Sequence, residues 1–518
     1  MIGDSSKIQP ESGERPSHFA ERLGNLYSIE SVQKDKKHKG QFFTPFTISD
    51  FMGGLASTTE SKEIEVLDPG CGCAILSCSL IEHLVKSSNL ISISLDVYET
   101  DNKVINYTKS SISYLGHWLN GQNIKFKSEI IQDDFILSNI NIISDSIFTS
   151  EVKPQYDYII SNPPYFKLGK DDSRTKACLN IINGQTNIYS LFMAVSSRLL
   201  KEGGEMIFIT PRSFASGRYF QSFRNDIFNR LSLTFIHLFN TRKDTFAKDD
   251  VLQELIISKL SSKNDSSEIS ISYSNGISDL GEAKVREYPK NEIIDTNTPE
   301  KIIYLPVNDR EDRILNLFKS WDGNMEKYGL RISTGPVVSF RAYESIAETQ
   351  SDDTVPLFWL HNVVKMLADH PIQKKDKGQF IKVSPGTMPI LLPNKNYILL
   401  RRFSSKDDDS RLIAAPYFGN MSKYEYVGIE NKLNYIYRQG NHLKRDEAIG
   451  LSALLDSKLF DTFFRTFNGN INVSATELRM MPLPPIETIR EIGQRIILHN
   501  NYSIEFIEEV IKDYFNIN

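Results

Sequence analysis

The sequence predicts an α/β protein: a doubly wound, seven-stranded, mostly parallel sheet followed by a C-terminal mixed α/β domain. Three observations carry that expectation. Short apolar runs alternate with amphipathic helical patterns from Glu63 to Leu260. Successive runs end in acidic or glycine- and proline-bearing turns, where an open α/β sheet places its ligands. Beyond about Pro299 the alternation fades into aromatic, basic and turn-rich sequence. Strands separated by helices pair parallel, because each crossover returns the chain to the same end of the sheet.

The elements follow in order. Residues up to about His18 are polar and read as disordered, and 1–35 as a whole as a flexible N-terminus. A basic stretch, Lys34 to Lys39, leads into Gly40-Gln-Phe-Phe-Thr-Pro45, and Ile48, Phe51, Met52 and Leu55 recur at helical spacing. Strands are expected at Ile64–Leu67, Ile91–Tyr98, Lys125–Ile131, Tyr156–Ser161, Glu205–Thr210, Leu233–Phe239 and Leu252–Ser258. Helices are expected at Ile75–Lys86, Asn102–Trp118, Ile188–Leu200 and Tyr219–Phe228. No helix separates the last two strands, so they read as an antiparallel hairpin at the end of the sheet. Ser261 to Ser267 is a polar break, so 261–300 reads as a connecting segment between a domain over 36–260 and one over 301–518.

With 518 residues, 40% hydrophobic and 24% charged, the chain can bury more than one core without staples. No apolar run reaches membrane-spanning length and the start is not signal-like, so a cytoplasmic protein without a membrane partner is expected. Cys71, Cys73 and Cys78 crowd together and Cys178 stands alone, which reads as reduced thiols; no metal site is expected. The net charge of -5 weighs mildly against nucleic acid, although a large enzyme can confine positive charge to one cleft.

The chemistry lies at the strand ends. Val66-Leu-Asp68-Pro-Gly70-Cys-Gly72 is a strand, an acidic residue, a glycine turn and then a helix, which lets backbone approach a ligand closely. Asp68 can organise that loop; taken alone, an ordinary strand–helix turn fits as well. The second strand ends at Glu99, placed for ribose hydroxyls. An isolated Glu would read as a solvated carboxylate; the glycine loop upstream favours the ligand role. The third ends in Asp133-Asp134-Phe135, where Asp134 can take the amine of an adenine ring while Phe135 packs on its face, or where a polar turn simply buries Phe135. Together these ends describe a site for an adenosine with a polar tail. The phosphate loop of nucleotide triphosphate enzymes is absent from the sequence.

The sharpest signal is Asn162-Pro163-Pro164-Tyr165 after the fourth strand. The prolines fix the backbone, so the Asn162 side-chain carbonyl and the Pro163 carbonyl can accept from one NH2 group. Such bonds orient an amine and favour its tetrahedral transition state. Tyr165 offers a ring for stacking a flat substrate, worth about 1–3 kcal/mol in nucleic-acid sites.

On these residues the chain resembles the class I methyltransferases, and more narrowly the gamma-class adenine-specific DNA methyltransferases of bacterial restriction–modification systems. Their order is a Thr-Pro segment, a cofactor loop, Asn-Pro-Pro-Tyr and a C-terminal target-recognition domain. Here Gln41 to Pro45, Asp68 to Gly72 and Asn162 to Tyr165 stand in that order. Thr186 to Phe192, Leu199 to Gly204 and Ile207 to Phe214 continue it. The resemblance implies S-adenosyl-L-methionine as cofactor, with Thr44, Phe42, Phe43 and Pro45 bordering its methionine end. It implies a flipped adenine held between Tyr165 and Phe246, double-stranded DNA as substrate, a cognate restriction endonuclease as a further partner, and a monomer on DNA. It departs in the cofactor loop, where Gly70, Cys73 and Ala74 replace the family's Ala, Ser and Gly. In 301–518, Arg401, Arg402, Arg438, Lys444 and Arg445 are candidates for phosphates or guanine edges, although for any single Arg a surface ion pair is the commoner role. An amide–carbonyl pair suits any planar NH2 group, so cytosine, RNA and protein glutamine stay open as substrates. A nuclease reading, from Asp134 with Glu151 and Lys153, and a silent DNA-binding module are the remaining alternatives.

Overall fold

The computed structural model describes residues 8–30, 43–143, 154–179, 181–182, 187–239, 254–262, 267–296, 298–404, 408–419, 423–469 and 472–516. The chain divides into two units, Met1–Leu305 and Pro306–Asn518.

The first unit is built on a mixed sheet ordered β3-β2-β1-β4-β5-β7-β6-β8-β9. Its strands are β1 (Glu63–Asp68), β2 (Ser92–Tyr98), β3 (Lys125–Ile131), β4 (Tyr156–Ser161), β5 (Leu200–Pro211), β6 (Ser232–Phe239), β7 (Leu255–Ser261), β8 (Glu268–Ser274) and β9 (Lys284–Pro289). β1 to β5 pair parallel, and β7 inserts antiparallel between β5 and β6. The doubly wound prediction holds, with two corrections. The sheet has nine strands rather than seven, and the β6–β7 hairpin is not its end, because β8 runs parallel to β6 and β9 closes the edge. The segment expected as a connection, 261–300, therefore supplies sheet. Ile269 and Ile271 of β8 are buried, an alternation that the neighbouring serines dilute.

Helices α1 (Pro16–Glu30), α2 (Phe46–Gly54), α3 (Ile75–Ser87), α4 (Ile105–Asn120), α5 (Ile188–Leu199) and α6 (Gln221–Arg230) cover the sheet. α2 starts after Pro45, in extended conformation, and buries Ile48, Ser49, Met52 and Gly53, one stripe at helical period. α4 begins three residues later than predicted, because Asp101 first makes a turn that takes the Lys103 and Val104 N–H groups. The largest correction concerns the N-terminus. α1 is packed, with Phe19, Leu23 and Tyr27 buried. The Glu82 carboxylate accepts from the Ser17 N–H (2.8 Å), the Ser17 hydroxyl (3.0 Å) and Arg15 Nε (2.7 Å). A buried carboxylate needs such partners, and these lie some 65 residues away in sequence.

The second unit holds an antiparallel sheet in the order Leu330–Thr334, Leu433–Arg438, Tyr397–Arg401, Ala414–Tyr417, and a second sheet of five short strands. Helices Asp309–Lys319, Arg445–Asp456, Lys458–Phe467, Ile486–His499 and Ile504–Phe515 complete it. Phe318 stacks on Phe463 at 3.8 Å between ring centroids. The mixed α/β expectation for this half is met.

Candidate active site

In the strand order, β1 lies between β2 and β4, where the direction of winding reverses. A crevice opens at the carboxyl ends of the strands at such a point. Here it is a cleft of about 410 Å³ lined by the ends of β1, β2, β3 and β4, within the range of small-molecule sites. Eight of the sequence-chosen residues line it: Phe43, Thr44, Gly70, Gly72, Glu99, Asp134, Phe135 and Asn162. Asp68, Pro163 and Tyr165 stand behind its wall, and Phe246 lies outside the described residues.

The loop after β1 is shaped for close approach. Gly72 has φ +52, and a Cβ there would press on the Phe43 ring at 3.2 Å. Ala74 also adopts the left-handed conformation, φ 63, as it leads into α3. That costs about 1–2 kcal/mol for a residue with a Cβ, which explains the family's glycine at this position. Asp68 is fully buried; its Oδ2 accepts from Ser77 Oγ at 2.8 Å and its Oδ1 has no hydrogen-bond partner. Burial outweighs the Ser77 bond and pushes its pKa up to about 7.

Glu99 is nearly buried, and its Oε1 accepts from the Asp101 N–H at 2.7 Å. Burial raises its pKa against the opposing backbone bonds. Asp134 caps the short helix Phe135–Ser138, accepting from Ile136 and Leu137 N–H at 3.0 Å, and its Oδ2 lies 3.4 Å from Arg174 Nη1. Phe135 packs edge-on against Tyr98 and tilted against Phe192. Cys71 and Cys73 also line the cleft, and burial pushes both thiols up, so they remain neutral.

At the end of β4 the Asn162 amide is held on both sides. Its Nδ2 donates to Thr44 Oγ1 at 3.0 Å, and the Tyr165 hydroxyl donates to its Oδ1. The single Tyr165 hydroxyl hydrogen is shared with the Ile209 carbonyl on β5, 2.9 Å away. The ring is thereby fixed and mostly buried, at 8% exposure. Sequence reasoning missed Arg174, Phe166, Asp101 and Phe192 in the cleft wall. Arg174 pairs with Asp172 as well as Asp134, contacts that span up to 40 residues and leave no local signature. Asp101 was legible as the acidic residue two past Glu99; its Oδ2 accepts from Tyr27 of α1 at 3.2 Å.

The sheet order and the cleft define a class I methyltransferase fold. A model of the Eco57I restriction-modification methylase family matches residues 76–246. The type II methyltransferase M.BsuBI of Bacillus subtilis is 32% identical over 472 residues, 91% of this chain and 92% of that protein. M.PstI of Providencia stuartii is 30% identical over 458 residues, 88% of this chain and 89% of that protein. The fold is similar to that of a nuclease-deletion mutant of the Type ISP restriction-modification enzyme LlaGI, with TM-score 0.52 and 11% identity over 88% of this chain and 46% of that one. The chain belongs to the type II DNA methyltransferases of restriction–modification systems.

Proposed function

We propose that the protein transfers a methyl group from S-adenosyl-L-methionine to the exocyclic amine of adenine in duplex DNA, after flipping the base. The observation that carries this reading is the Asn162 amide, oriented from both sides in the wall of a cleft suited to an adenosine. The residues fit the cofactor. Glu99 would take its ribose, Phe135 and Asp134 its ring and amine, and Gly70 and Gly72 would let its tail approach closely; all five line the cleft. When bound, it supplies a methyl group activated by a sulfonium.

The chain's part is binding and orientation. Asn162 Oδ1 has two lone pairs; Tyr165 uses one, and the other can accept from the adenine amine. The Pro163 carbonyl accepts the second N–H, which leaves the nitrogen lone pair free for in-line attack. The bound cofactor would give up the methyl carbon and keep the bonding pair on its sulfur, and the amine, cationic once methylated, would release its proton to solvent. No strong base is required beforehand. With its N–H turned to Thr44, the Asn162 amide would offer its oxygen to the base. The base is taken between Tyr165 and Phe246, at an unstacking cost of a few kcal/mol; the Tyr165 ring, 8% exposed behind the cleft wall, has to be uncovered as the base enters.

Similarity to type II methyltransferases extends over both units, which supports the second as the target-recognition domain. By the same reading the protein acts as a monomer on DNA in the bacterial cytoplasm, alongside a cognate restriction endonuclease. No helix among the described residues is long and apolar enough to cross a membrane. Tritiated methyl transfer to unmodified bacterial DNA, followed by nucleoside mass spectrometry, tests the assignment. N6-methyladenine is expected; N4-methylcytosine would overturn the choice of base. Asn162→Ala is expected to cut turnover about 10²–10³-fold or more, with cofactor affinity changed less than about threefold. Undiminished turnover in that variant removes the mechanism.

A further inference from the structure

In the second unit, residues 338–345 form a loop with two solvent-facing rings, Phe340 at 76% and Tyr343 at 79% exposure. Large rings so exposed on a floppy segment would signify little. This loop is anchored. Val337 beneath it is fully buried, its N–H donates to the Ile429 carbonyl at 3.1 Å, and its carbonyl accepts from the Asn431 N–H at 2.9 Å. Ala342 is buried in the same core, and its N–H donates to the Val338 carbonyl at 3.1 Å. Gly335 passes so close to Glu430 that a Cβ would meet its carbonyl.

A second aromatic–cation pair follows the strand Tyr397–Arg401 and is tied to residues 431–432. Arg402 donates through its backbone N–H to the Lys432 carbonyl (2.9 Å) and through Nη1 to the Asn431 carbonyl (3.0 Å). Its guanidinium lies 5.5 Å from the centre of the Phe403 ring, as Arg341 lies 5.5 Å from that of Phe340. Phe403 is 38% exposed. None of Arg341, Arg402 and Lys432 takes part in an ion pair among the described residues. The Glu430 carboxylate is buried and accepts from the Lys432 N–H and the Ser339 hydroxyl. The one carboxylate on the loop is Glu344. Three cations and three rings therefore stand on three segments, 338–345, 402–403 and 430–432, that backbone hydrogen bonds tie together.

We propose that these segments form the surface by which the second unit grips duplex DNA: Arg341, Arg402 and Lys432 on phosphates, Phe340 and Tyr343 against bases at an opened step. The proposal rests on the reading of the chain as a DNA methyltransferase and adds the residues that would hold the duplex. Unpaired cations match a phosphate backbone, and every base presents a face on which a ring can stack. A second copy of the chain is the competing occupant, since Tyr, Phe and Arg also enrich protein interfaces.

The test uses the full-length protein, a fluorescein-labelled duplex and anisotropy over a range of salt concentrations. Replacing Arg341, Arg402 and Lys432 together by Ala is expected to lower the log–log salt slope by about 2–3, at roughly 0.9 per phosphate contact. F340A with Y343A is expected to weaken duplex binding about tenfold or more, with the slope unchanged. Cofactor affinity and melting temperature serve as fold controls and should match the unmodified protein. If that protein binds duplex and both variants match it in affinity and slope, the surface assignment fails and the enzyme reading stands. If the variants instead lose a dimer in light scattering while holding DNA normally, the surface is a protein interface and the proposal is overturned. If the unmodified protein binds no duplex, the DNA reading fails and this surface with it.

Discussion

Asn162 is a side chain whose environment decides its chemistry. An amide free to rotate would present N–H or C=O to a substrate amine with similar ease, and the N–H end repels it. The Thr44 hydroxyl, as acceptor of the Asn162 N–H at 3.0 Å, removes that choice. Thr44→Val is therefore expected to lower kcat about tenfold or more while leaving cofactor affinity near its original value; single-turnover methylation with saturating cofactor measures it. A Thr44→Ser variant, which keeps the acceptor, should recover most of the rate. Asp68 makes a different kind of prediction. Its pKa is raised from 3.8 to about 7 by burial, so the folded protein binds its proton more tightly than the unfolded chain. The resulting stabilisation is fully present below about pH 4 and is lost as pH rises to about 7, by on the order of 4 kcal/mol at most. Asp68→Asn should flatten the pH dependence of the cofactor-free melting temperature across that window. An unchanged slope would mean that the carboxyl is already ionised.

At the scale of elements, close backbone approach sets the tolerances. In the first unit a Cβ on Gly53 of α2 would come within 2.8 Å of the Ser79 carbonyl group of α3. In the second, Gly450 and Gly493 face one another across helices Arg445–Asp456 and Ile486–His499, and a Cβ on either would strike the opposite backbone. Backbone cannot yield as a flexible side chain does, so Gly450→Ala or Gly493→Ala should destabilise by roughly 1–3 kcal/mol or more. Denaturant titration of the second unit's aromatic fluorescence would register it. The helix–strand alternation of the first unit was readable because each element carries its own period. α1 was not. Phe19, Leu23 and Tyr27 stand at helical spacing, a signal hidden behind the polar start, and the helix is held by Glu82, Asp101 and the rings of Tyr107 and Tyr114, which arrive from far along the chain. β8 and β9 were missed for a related reason: a serine-rich stretch reads as a break until a sheet edge stands beside it.

For the molecule as a whole, two units with their own cores should answer the cofactor differently. Hydrogen exchange with saturating S-adenosyl-L-methionine is expected to slow amides at the ends of β1, β2 and β4 and to leave the strand Leu433–Arg438 unchanged. Stabilisation of the first unit should be about 2.7 kcal/mol at a hundredfold excess over Kd. Equal protection in both units would show that the cofactor site draws on both.

The sequence by itself determined the parallel sheet, the order of its strand-end motifs and part of the cleft: Phe43, Thr44, Gly70, Gly72, Glu99, Asp134, Phe135 and Asn162 were chosen from it and meet in one place. That was possible because a strand, a turn and a helix start are local events, and an open sheet gathers its strand ends on one side. Only the tertiary structure decided that α1 packs, that nine strands form the sheet, that Tyr165 points its hydroxyl at Ile209, and that Arg174 joins the cleft wall. Each of these depends on partners distant in the chain, and a hydrogen bond or a buried face has no sequence signature until its other half is in place.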